Sequence, residues 1–178
     1  MFDFYCKPSS YVRNFMALDV SEMAKNGIKL LLCDIDNTLV AWDEAYPSEA
    51  AMHFFKECQA NQIKVILASN NTEERVSTFA KAANLEYCSF FCKPFKINYY
   101  KILKKEKLKR KEIAVAGDQI LTDIVGGNRM HFHTIFFDPL VKVDSKHTGF
   151  SRYLEKYVLR WLSWRKRFNK GEYYGYKM

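Results

Sequence analysis

The sequence predicts an α/β protein built on a doubly wound parallel sheet with helices on both faces. Three observations predict it. Short apolar runs alternate with stretches of helical period, the pattern of βαβ units. The runs end in polar residues able to do chemistry. The chain has 178 residues, enough for one compact α/β domain and too few for two ordinary ones.

Ile28–Cys33 (IKLLLC) is the clearest strand, and Asp34 closes it. Ile63–Ala68, Tyr87–Cys92, Glu112–Ala116 and His133–Phe137 supply four more. Helical patterns cover about residues 47–60, 73–83, 95–108 and 121–130, with Gly126-Gly127-Asn128 ending the last. Residues 1–149 are expected to form the core. Residues 150–178 form a basic amphipathic helix and tail packed on the core or extending from it. In that helix Phe150, Tyr153, Leu154, Tyr157, Val158, Trp161 and Leu162 recur at three- and four-residue steps, and Thr148-Gly149 marks its start. Arg152, Lys156, Arg160, Arg165, Lys166 and Arg167 crowd around the stripe.

Composition narrows the function classes. Hydrophobic residues make up 48% and aromatics 16%, which excludes a disordered chain. No 18-residue apolar run and no secretory pattern appear, so a cytoplasmic protein is expected. The five cysteines are an odd number without a C-x-x-C pair, which fits reduced thiols. His131 and His133 lack metal-ligand company and read as structural. The net charge of +8 is uneven: residues 96–111 carry +7 and residues 142–178 another +7, so the remainder carries −6. A basic surface points to an anionic partner: lipid head groups, nucleic acid or a charged small molecule.

Right-handed crossovers carry every strand's C-terminal end to one edge, where such sheets bind ligands. To that edge the chain delivers Asp34-Ile35-Asp36-Asn37-Thr38, Ser69-Asn70-Asn71, Lys93, and Gly117-Asp118 with Asp123 five residues on. These residues suit phosphate ester hydrolysis. Asp34, held by strand backbone, is the nucleophile that forms an acyl phosphate. Asp36, past the strand end, exchanges the proton. Mg²⁺ prefers oxygen ligands; Asp34 and Asp118 supply carboxylates, and Asp36 completes the metal set. Lys93, Ser69 and Asn70 bind the phosphoryl group. Thr38 and Asp123 support, Asp123 by positioning Lys93 or Asp118.

The ordered set D-x-D-x-T at 34–38, Ser69, Lys93 and G-D-x-x-x-x-D at 117–123 resembles the four motifs of the haloacid-dehalogenase-like phosphatases (subfamily IIIA). From about residue 5 to 168 the chain further resembles the YqeG family, through CDIDNTLVAWDE, KVILASNNTEERV, CKPF, VAGDQILTDIVGGNRM and KHTGFSRYLEK. That family is related to mitochondrial phosphatidylglycerophosphate phosphatases, and the resemblance implies a lipid-phosphate substrate. The gaps between Asp36, Ser69 and Lys93 are each filled by one helix and one strand. No cap domain fits, and an open site is expected. Such a site accepts a head group at a membrane surface, with peripheral contact through the basic C-terminal helix. It equally accepts a nucleic-acid end or a phosphoprotein. A non-catalytic RNA- or membrane-binding protein of this fold is the alternative from a different class.

Overall fold

The computed structural model describes residues 2–141 and 149–176. Thr148 and the side chain of Phe150 lie outside what is described. Six strands, β1 (Ser10–Val12), β2 (Leu30–Cys33), β3 (Lys64–Ala68), β4 (Glu86–Cys88), β5 (Ile113–Gly117) and β6 (His133–Phe137), form one sheet in the order β1-β6-β5-β2-β3-β4. All five pairings are parallel. β2, β5 and the end of β3 are buried on both faces, which is why they read as continuous apolar runs. Helices α1 (Phe2–Cys6), α2 (Val20–Lys25), α3 (Glu49–Ala60), α4 (Glu73–Ala83), α5 (Lys96–Glu106), α6 (Val125–Arg129) and α7 (Gly149–Trp164) cover the sheet. The expected doubly wound, Rossmann-like architecture is present, with no cap domain among the described residues.

Local chemistry sets the helix boundaries. Ser48 and Thr72 cap α3 and α4 by accepting from Ala51 N and Arg75 N, and Asn84 ends α4 in the left-handed region. On one face of the sheet Leu31, Phe54, Phe79 and Val65 pack together; on the other Leu32, Tyr99, Val115 and Phe132 do.

Three expectations change. The third strand stops at Cys88 instead of Cys92, because Phe90 and Cys92 take positive φ and Phe91 N donates to Ser69 O. Gly126 and Gly127 lie inside α6 rather than ending a helix. A Cβ on Gly126 would meet the Tyr99 hydroxyl at 2.4 Å and one on Gly127 the Thr134 methyl at 2.5 Å, so close packing requires both. The N-terminal elements α1, β1 and α2 were not anticipated. β1 is three residues long, below what periodicity can register.

The C-terminal segment packs on the core. Leu162 and Phe168 are buried in a cluster with Cys6, Tyr11, Ile120 and Phe136. Tyr174 exchanges two backbone hydrogen bonds with Tyr11. His133 accordingly has a structural place: it hydrogen-bonds Ser10 at 2.8 Å and stacks on Tyr176. The stripe on α7 divides. Leu162 is buried and Val158 and Trp161 partly so, whereas Tyr153, Leu154 and Tyr157 face solvent. All five cysteines are free thiols.

Candidate active site

The strand order reverses between β2 and β5, and that crevice holds the site. Cys33 pairs with Ala116, and Asp34 N donates to Ala116 O at 2.9 Å, which places Asp34 beside the Gly117-Asp118 end of β5. After Asp34 the chain turns tightly. Asn37 takes φ 62° and donates to Val40 O, and Thr38 is driven inward to full burial. Its hydroxyl lies 3.2 Å from Asp118 Oδ1 and 3.5 Å from Asp34 Oδ2, within reach of both carboxylates.

Lys93 anchors the other side. Its ammonium donates to Asp34 Oδ1 at 2.5 Å, Asp123 Oδ1 at 2.7 Å and Ala68 O at 2.8 Å. Three acceptors saturate its three donors. Asp123 also accepts from Gln119 N and Thr122 Oγ1, so both its oxygens are engaged. Gly117 must be glycine here, since a Cβ would sit 2.2 Å from Asp123 Cγ.

Carboxylate oxygens of Asp34, Asp118 and Asp123 lie within 4.8 Å of one another, all in buried residues. Burial is the largest influence on Asp34 and pushes its carboxyl up to about 8 against the opposing pull of Lys93. Burial likewise pushes Asp118 up to about 7 against Arg152. Burial opposes the Lys93 ammonium, but Asp123 and Asp34 outweigh it and hold Lys93 well above its ordinary value. Counting Glu155, four buried carboxylates face two cations, Lys93 and Arg152, among the described residues. The formal remainder is −2, the charge one divalent cation cancels. An all-oxygen, buried donor set fits a hard cation such as Mg²⁺.

Several expected residues are placed differently. The Asp36 carboxylate is not part of the cluster of buried acids and pairs with Arg75 at 2.8 Å and Asn71 Nδ2 at 3.1 Å. Arg75, in the first turn of α4, also donates to Ala45 O. Asn70 brackets the main chain of Lys93, donating to its O and accepting from its N, and so positions Lys93. Ser69 is buried at the end of β3 and accepts from Asn71 N. Asp123 pairs with Lys93 at 2.7 Å.

Sequence reasoning placed Arg152 on the basic flank of the C-terminal helix and gave neither it nor Glu155 a place in the site. Arg152 Nη2 pairs with Asp118 Oδ2, and its Nη1 donates to the Asp118 main-chain O at 2.7 Å. The i, i+3 spacing of Arg152 and Glu155 inside KHTGFSRYLEK was the available signal. Their position in a basic segment concealed it.

A switch-point crevice with a buried strand-end aspartate, a lysine whose donors are all used and a second buried acid suits phosphoryl transfer. Residues 15–131 match the model of the haloacid dehalogenase-like hydrolases, and the chain belongs to that family. Within it the chain is 32% identical over 152 residues to "Probable phosphatase YqeG" of Bacillus subtilis (strain 168), covering 85% of this chain and 88% of that one. The fold is shared with an uncharacterized protein from Listeria monocytogenes serotype 4b, at TM-score 0.51 and 16% identity over 61% of this chain and 78% of the other. The chain is thus a phosphatase of the haloacid-dehalogenase-like type.

Proposed function

We propose that the chain hydrolyses phosphomonoesters through a phospho-aspartate on Asp34, with Mg²⁺ as cofactor, and that its substrate is phosphatidylglycerophosphate or a similar anionic phospholipid monoester. An Asp34 oxygen attacks phosphorus and the bond to the substrate's alcohol oxygen breaks, while Asp36 gives that oxygen its proton. Asp36 then takes a proton from water, whose oxygen attacks the same phosphorus. Inorganic phosphate leaves and the Asp34 carboxylate is restored. Lys93 holds Asp34 in place, and Ser69 donates its hydroxyl hydrogen to a phosphoryl oxygen. Asp34 and Asp118 would hold Mg²⁺, which would supply cancellation of charge between nucleophile and phosphate. Asp36 makes the proton transfers from its place beside Arg75, outside the cluster of buried acids.

The observation that carries the lipid reading is the outward face of α7. Tyr153, Leu154, Tyr157 and Trp164 are exposed there among Lys156 and Arg160, with Arg165, Lys166 and Arg167 continuing beyond the helix. Aromatic and basic side chains on one face suit an anionic lipid–water interface. The same helix reaches the site at Asp118, so a helix lying on the membrane at its inner face would hold the open site beside the head groups. Among the described residues no helix is long and apolar enough to cross a membrane.

The test compares Mg²⁺-dependent turnover of phosphatidylglycerophosphate in anionic vesicles, a 3′-phosphorylated oligonucleotide and a soluble aryl phosphate. The lipid should be favoured at least about tenfold in kcat/KM. Preference for the oligonucleotide would replace the lipid by a nucleic-acid end. Absence of turnover of all three, with Mg²⁺ bound, would leave a binding protein of this fold.

A further inference from the structure

Asp118 directly follows β5, and α7 grips Asp118 and Ile120 at several points. Arg152 Nη2 pairs with Asp118 Oδ2, Arg152 Nη1 donates to the Asp118 main-chain O, and Glu155 Oε1 accepts from Ile120 N at 3.2 Å. Glu155 Oε2 in turn accepts from Arg152 Nη1 at 3.3 Å. Glu155 is only 3% exposed on a helix whose neighbouring Leu154 and Tyr157 face solvent. A buried carboxylate is costly unless paired, and both its partners here belong to the Asp118 segment or hold it. The arrangement therefore favours the helix rotation that seats Arg152 and Glu155 inward over one that buries the apolar stripe.

We propose that Arg152 and Glu155 are positioning residues for the cation site. Arg152 occupies one oxygen of Asp118, so that Oδ1 stays turned to Thr38 and the Asp34 side. Glu155 orients Arg152. The proposal rests on the metal-dependent reading above and assigns a role to residues outside the four matched motifs. Two effects oppose each other. A guanidinium repels an incoming cation, but it also fixes a ligand that would otherwise rotate. Glu155 cancels the charge of Arg152, so fixing the ligand is the larger effect. The planar fork bridges the side-chain and main-chain oxygens of one residue, which a lysine ammonium matches poorly.

The experiment uses the full chain and its Arg152→Met, Arg152→Lys and Glu155→Gln variants. Mg²⁺ alone is titrated by calorimetry, then turnover of a soluble aryl phosphate is followed against Mg²⁺ concentration. Arg152→Met should weaken Mg²⁺ binding by about 10- to 100-fold, the range seen when a group orienting a metal ligand is lost. Glu155→Gln should weaken it less, and Arg152→Lys should recover part of the loss. In Arg152→Met the half-saturating Mg²⁺ should rise, with kcat at saturating Mg²⁺ within about threefold of the parent, as expected for a role acting through the ligand. Equal or tighter Mg²⁺ binding by Arg152→Met would overturn the proposal, as would a kcat that high Mg²⁺ does not restore. Should Arg152→Met not fold, unchanged Mg²⁺ affinity in Glu155→Gln overturns it instead. A parent protein that binds Mg²⁺ without hydrolysing any phosphate ester would sink the phosphatase mechanism and leave the calorimetric comparison decisive.

Discussion

The two ends of α7 carry the same residue type to opposite fates. At its N-terminal end Arg152 is drawn into the buried acids and paired with Asp118. About 20 Å further along the helix axis, just past the end of α7, Arg165 and Arg167 line an open cavity of about 910 Å³ with Lys7, His131 and Tyr174. That cavity lies where β1 and β6 begin, at the edge of the sheet opposite the catalytic crevice. A cluster of arginines in sequence is thus two different things in space. One is part of a buried, charge-paired site; the others lie at the surface, where salt screens their charge.

The largest expected effect is at the catalytic edge. Asp34→Asn should reduce turnover of any phosphate ester at least about a thousandfold without lowering Tm, because it removes a buried negative charge and keeps the shape. Residual activity within tenfold of the parent would exclude the covalent route. Next comes Arg75, which pairs with Asp36, the proposed proton donor. Arg75→Met should lower kcat about tenfold, less than the roughly hundredfold or greater loss for Asp36→Asn. An Arg75 variant as impaired as the Asp36 variant would mean that Arg75 touches substrate.

Gly117→Ala tests close packing at the same edge. The added methyl meets Asp123, and overpacking of this kind costs about 1–3 kcal/mol. Thermal unfolding should show a lower Tm, and Lys93 loses its fixed partner. An unchanged Tm would mean that Asp123 can move freely.

Protonation gives a smaller, signed effect. An ordinary aspartate titrates near 4 in the unfolded chain, whereas Asp34 and Asp118 are raised to about 8 and about 7 in the folded, metal-free protein. Between these values the folded state holds more protons, so stability falls as pH rises from about 4 to about 8. Mg²⁺ takes the place of those protons, and its upward shift of Tm should be larger at pH 8 than at pH 6. Equal shifts would show that the pair does not titrate in this range.

The smallest effect on chemistry belongs to the far end of α7. Replacing Arg165, Lys166 and Arg167 together by Gln should leave turnover of a soluble aryl phosphate within about twofold. It should weaken binding to anionic vesicles by up to about a hundredfold, on the order of 3 kcal/mol at roughly 1 kcal/mol per cation. Sedimentation with anionic and neutral vesicles at two salt concentrations reads this out. No preference of the parent for anionic vesicles would end the membrane reading and leave the phosphatase intact.

Much of this was determined by the sequence alone. Four of six strands, β2, β3, β5 and β6, were legible because mostly buried parallel strands are continuous apolar runs; the more exposed β4 was found but expected to run on to Cys92. Asp34, Ser69, Lys93 and Asp118 were legible because each follows such a run, and strand ends share one edge. β1 was not, since three residues carry no period; it exists through its pairing with β6 and its bridge to Tyr174. The tasks of Asn70, Asp36, Arg75, Arg152 and Glu155 were decided by tertiary structure. Each depends on which group, far away in the chain, completes its hydrogen bonds: Asn70 on Lys93, Asp36 on Arg75, Arg152 on Asp118. Local pattern fixes where a side chain leaves the backbone; what it neutralises is settled only when the sheet and α7 bring buried charges together, where each must find a partner or a cation.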